Sequence, residues 1–146
     1  MERVLYQKDY YGWLQENVRL IRERKFSEID TENLIEELES MGKSEKRELA
    51  SRLTILLVHL LKWQYQTIRR STSWRNTIAV QRIDILELLE DSPSLRTEIL
   101  DKIETAYEKA VLAAEVETGI EKAKFAAECP FSLEQILNET FLPEVG

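Results

Sequence analysis

The chain has 146 residues and 17.2 kDa, with 43% hydrophobic residues, 32% charged residues and a formal net charge of −7. Folded chains of this mass bury about 69% of their unfolded surface, leaving roughly 7,800 Å², so a single domain over residues 1–146 is expected without disulfide or metal staples. Four Gly and three Pro are too few for a many-stranded β protein or a low-complexity linker. MERVLYQKDYYGW lacks a signal-peptide run and no stretch reaches membrane-spanning length, so a cytoplasmic protein with no membrane span is expected. The lone Cys129 fits a reducing compartment.

In chain order, Tyr10, Leu14, Val18 and Ile21 share one helical face, so residues 9–24 are expected to form an amphipathic helix with Asp9 as N-cap. Asp30 precedes a second helix, with Leu34, Ile35, Leu38 and Met41 on one side and Glu32, Glu36 and Glu39 on the other. Gly42 suits a C-terminal cap there. The alternative is one long helix running through it, at about 1 kcal/mol relative to Ala. A third helix, about 44–66, carries Leu49, Leu53, Leu56, Leu57, Leu60 and Leu61. With Ile55 and Val58 closing most of the remaining circumference, ILLVHLL is expected to be buried all round, at the centre of the core.

Residues 62–82 hold five basic side chains (Lys62, Arg69, Arg70, Arg75, Arg82) and no acid, whereas residues 83–146 hold five basic and 15 acidic ones. Such a segment can bind phosphate locally, pair with the acidic part of its own chain, or remain solvated. Ser71 to Ser73 can cap a fourth helix from Trp74 to about Asp91, with Trp74, Ile78, Ile85 and Leu89 in line. Pro93 and Ser94 punctuate the chain, with Ser94 as N-cap of a fifth helix, Leu95 to about Thr118, which Gly119 can end although the apolar and charged pattern continues to Ala127. Ser132 with Gln135 makes a capping box for a short last helix. The expected fold is all-α, an up-and-down helical bundle of about five main helices plus a short C-terminal helix.

Polar residues within apolar patterns are the candidates for chemistry. His59 is the single histidine, and the simplest expectation is a neutral core imidazole satisfied by a neighbouring group. A di-iron bundle site needs Glu-x-x-His pairs, and Leu56 stands where the Glu would be. Zinc sites need more His and Cys than the chain has. Glu32, Glu36 and Glu39 could offer oxygens to a hard cation, but such a row opposite an apolar stripe is usually a solvated face. Arg82 projects near the apolar stripe of the fourth helix, so it needs a partner. A buried network of Arg82 with Glu36 or Glu39, joined by His59, is the expected arrangement, in tension with the solvated reading of those acids. Lys62, Trp63, Arg69, Arg70, Trp74 and Arg75 interleave rings and cations as single-strand binders do. Core-facing spacing of both tryptophans argues against that use. Cys129 has no basic neighbour to activate it.

The runs DTENLIEELESMGKSEKREL, LLVHLLKWQYQ, RRSTSWRNTI and CPFSLEQILNETFLPE resemble the bacterial family catalogued as domain of unknown function 29, over nearly the whole chain. The resemblance implies a small all-helical protein with no established activity. It also marks Asn33, Glu36, Glu37, Glu39, His59, Lys62, Trp63, Trp74 and Arg82 as positions of interest. No catalytic residue, cofactor or metal is assigned. The expected function is a non-enzymatic protein-interaction or accessory domain acting through an unknown partner or self-association. Its support is the apolar surface at Tyr10, Tyr11, Trp13, Phe131 and Phe141. The alternatives are a nucleic-acid-associated protein using residues 62–75, which the overall acidity disfavours, and a metal-dependent enzyme using the acidic second helix and His59.

Overall fold

The structure, a computed structural model, describes residues 2–145, with side chains from Leu5 to Val145. All regular elements among the described residues are helical: α1 (Glu2–Lys8), α2 (Tyr10–Arg22), α3 (Thr31–Tyr65), α4 (Thr72–Asp91), α5 (Ile99–Thr118) and α6 (Leu133–Leu137), with short 3₁₀ turns between most of them. The all-α expectation holds. The chain divides into two compact units, Met1–Glu45 and Lys46–Gly146. It exposes 9760 Å², about a quarter more than the roughly 7,800 Å² of a single body of its mass.

Local chemistry sets most helix ends. Asp9 accepts a hydrogen bond from the Gly12 amide at 3.0 Å and starts α2. Ser71 accepts from the Trp74 amide at 3.2 Å and starts α4. Ser132 and Gln135 form the reciprocal capping box of α6. Gly119 takes the left-handed conformation (φ 76°) that closes α5, and a side chain there would be strained. Arg24 adopts the same region (φ 59°) just after α2, an uncommon burden for a residue with a Cβ. Residues 93–97 form a 3₁₀ turn instead of the first turn of α5, which therefore begins at Ile99 rather than Leu95.

Gly42 is not a cap. The second and third expected helices are one, the 35-residue α3. A left-handed C-cap needs positive φ, and among the described residues only Arg24 and Gly119 have it. The run KSEKRELA after Gly42 is made largely of good helix formers. Propagation adds one hydrogen bond per residue, so a single glycine costs less than a new nucleation would.

The second unit holds the main hydrophobic core. Leu49, Leu53, Leu56, Leu57, Leu60 and Leu61 of α3 are fully buried against Ile78, Ile85 and Leu89 of α4, and Ile99, Ile103, Ala106 and Ala110 of α5 join them. Phe125, Phe131 and Ile136 complete the cluster. Each such leucine contributes roughly 1.5–3 kcal/mol by leaving water. The ILLVHLL segment is buried on the core side only. Ile55 is exposed and His59 half-buried, because the units packed here cover less than the full circumference of α3.

A substitution at Gly42 separates the two readings of that residue. An added Cβ meets nothing within 4 Å, so Gly42→Ala should raise stability by about 0.5–1 kcal/mol in urea unfolding. A left-handed cap at this position would instead make the alanine destabilising.

Candidate functional site

In the first unit, cohesion comes from rings and polar bonds more than from aliphatic packing. Trp13 and Leu20 are the only buried apolar residues among those described there. The Trp13 indole N–H donates to Asp30 at 2.8 Å, and Asn33 Nδ2 donates to the same carboxylate oxygen at 2.8 Å. Asn17 Oδ1 accepts from the Asp30 amide at 3.0 Å, while Asn17 Nδ2 donates to the Trp13 carbonyl at 2.9 Å. Tyr6 and Tyr10 both donate to Glu37, at 2.5 and 2.6 Å, and their rings pack with that of Trp13 at centroid distances of 4.7–5.9 Å.

This network ties α1 and α2 to the first turns of α3. Glu37 is held below its ordinary 4.5 by the Tyr10 and Tyr6 hydroxyls, and the same bond pushes Tyr6 up to about 12. Trp13, expected to add to a surface cluster, is the buried centre of this network. Asp30, Asn33 and Glu37 fall at helical spacings of three and four, a legible signal. Nothing in the sequence showed which helix would supply their donors.

Glu36 and Glu39 are exposed and Arg82 is 1% exposed, so the expected network does not form. Arg82 Nε instead donates to the Ile136 carbonyl at 2.8 Å and Nη2 to the Gln135 carbonyl at 3.2 Å. Burial lowers the Arg82 pKa from its ordinary value. The need for a partner was correct, but the partner is backbone. The last carbonyls of a short helix lack intrahelical donors, and a guanidinium supplies them. Arg82 thus pins α6 to α4.

His59 does not join Arg82 either. Its Nδ1 lies 2.9 Å from the carbonyl of Ile55, one turn back on α3, and desolvation lowers its pKa. Among the described residues no group of three His, Cys, Asp or Glu is placed to hold a metal ion. The Cys129 thiol opens onto a depression lined by Leu100, Ile103, Tyr107 and Glu108. Burial pushes its pKa up, opposite to the shift an activated nucleophile needs.

The basic-aromatic residues do come together, at the corner between α3 and α4. Lys62 pairs with Glu117 at 3.1 Å and lies 4.8 Å from the Trp74 ring centroid. Arg70 donates through Nε to the Trp63 carbonyl at 2.8 Å, capping the end of α3. Its guanidinium lies 5.0 Å from the Trp63 ring, and that of Arg75 lies 5.4 Å from the same ring. Trp63 is buried and Trp74 half-buried, while Arg69 is exposed. Both indoles already carry cations, which opposes stacking of nucleic-acid bases.

A family model described as Domain of unknown function DUF29 matches residues 5–142. The chain belongs to that family. No curated protein and no solved structure matches it. Of the positions that the resemblance marked, Asn33 and Glu37 belong to the network of the first unit. Lys62, Trp63 and Trp74 build the α3–α4 corner, and Arg82 holds α6. Among the described residues, no helix is long and apolar enough to cross a membrane.

Two measurements check these assignments. Arg82→Met should cost about 2–4 kcal/mol, since it removes the guanidinium bonds to the Ile136 and Gln135 carbonyls, and hydrogen exchange should quicken first in residues 133–137. Glu36→Ala and Glu39→Ala should each stay within about 0.5 kcal/mol. For pH, the folded state keeps His59 neutral below its ordinary 6.5, so the unfolded chain takes up the proton first. Stability from this source is complete above pH 6.5 and falls as pH drops through the folded value. His59→Gln should flatten that part of a melting-temperature profile. The Glu37 contribution is lost only below pH 4.5.

Proposed function

We propose that this chain is a non-enzymatic protein-interaction domain that docks through the first unit. One observation carries the reading. Val18 and Ile21 on α2, and Ile35, Leu38 and Met41 on α3, are 43–64% exposed, in a unit where only Trp13 and Leu20 are buried apolar side chains. Clustered exposed apolar surface of this kind commonly marks a docking site. The support has moved along the chain. Phe131 is buried in the core of the second unit, and the half-buried Phe141 packs against it at 6.0 Å between centroids, so both serve that core.

The stripes on α2 and α3 have helical spacing, which suits another amphipathic helix as the occupant. A second copy of this chain is the simplest such occupant, since it carries the same stripes. A reducing compartment fits the half-buried, unpaired Cys129.

Light-scattering mass of the purified chain tests the reading. The expected result is a dimer that dissociates on dilution toward the 17.2 kDa monomer. Ile35→Glu combined with Leu38→Glu should give monomer at all concentrations while leaving helicity unchanged. A wild-type chain that stays monomeric at high concentration removes self-association through this surface.

A further inference from the structure

Among the five cations of residues 62–82, two are accounted for. Lys62 is paired with Glu117, and Arg82 is used by the carbonyls of α6. Arg69, Arg70 and Arg75 have no carboxylate partner among the described residues, although the chain carries 27 acidic side chains.

Three features of these arginines run against ordinary protein electrostatics. Arg70 and Arg75 gather on one indole, so their guanidiniums stand within about 10 Å of each other and repel. Arg70 Nη2 is buried with no hydrogen-bond partner, a costly state for a charged donor. Arg75 lies in the first turn of α4, where the helix dipole opposes a cation, and that turn contains no acid to offset it.

The arrival of an anion offsets the mutual repulsion of the two guanidiniums and the unfavourable dipole at Arg75. We propose that Arg70 and Arg75, which converge on Trp63 at the α3–α4 corner, form a binding site for a phosphate group. A phosphate dianion matches several guanidiniums at once, because its oxygens can accept from more than one fork and its charge offsets more than one cation. A carboxylate offers a single charge and two oxygens. The ring contacts hold Arg70 and Arg75 in place, and the Arg70 bond to the Trp63 carbonyl fixes its guanidinium further. A nucleic-acid strand is the poorer occupant, because both indoles carry cations and residues 83–146 have a net charge of −10, from five basic and 15 acidic side chains.

Calorimetric titration with inorganic phosphate in a chloride buffer of constant ionic strength tests the site, with oligothymidylate as a second arm. The wild-type chain should bind phosphate saturably. Arg75→Gln, which removes a ring contact but no hydrogen bond, should weaken that binding at least tenfold. Arg96→Gln, which removes the same charge from a turn elsewhere in the second unit, should leave it unchanged. Tryptophan emission should change along the same binding curve, and that change should be lost in Arg75→Gln. Absence of saturable phosphate binding overturns the proposal, as does an equal response of the Arg75 and Arg96 variants. Binding of oligothymidylate without binding of free phosphate overturns it in favour of a nucleic-acid surface.

Discussion

Burial of the leucine row in the second half of α3 is the constraint on which the second unit depends. Leu49, Leu53, Leu56, Leu57, Leu60 and Leu61 lose all contact with water, and α4, α5 and the last helix supply the apolar faces that exclude it. Together they contribute on the order of 10 kcal/mol before the entropy of ordering the chain is set against them. The polar devices of that unit act at its margins. Arg82 fastens α6, Arg70 caps α3, and Lys62 bridges to Glu117 on α5. None of them could hold the unit without the leucines.

The first unit is built on a different balance. It buries few apolar side chains and relies on Asp30 and Glu37 to collect donors from Trp13, Asn33, Tyr6 and Tyr10. Hydrogen bonds exchanged with water contribute modestly in net terms. The two units thus differ in what holds them, one a packed aliphatic core and the other rings and polar bonds.

Much of the fold was legible because helix signals are local. Asp9, Ser71, Gly119 and the Ser132–Gln135 pair each occupy the cap position that their chemistry suggests. Gly42 was ambiguous because one residue type serves both as a cap and as a tolerated interior defect, and the flanking helix formers decide between them. The site was less legible. Arg82 was recognised as needing a partner, but a backbone carbonyl carries no sequence signature, so acidic side chains drew the inference instead. Trp13 looked like surface because its acceptor, Asp30, lies 17 residues away.

Residue order alone determined the helical class, most helix boundaries, the burial of Arg82 and the interleaving of cations with two tryptophans. These follow from periodicity, capping chemistry and charge counts, which act within a few turns of chain. Tertiary structure decided which carbonyls receive the Arg82 guanidinium and that Glu37 rather than Glu36 or Glu39 faces the tyrosines. Those outcomes depend on how helices distant in sequence meet, and a rotation of one residue along a helix moves a side chain by about 100° and changes its partner.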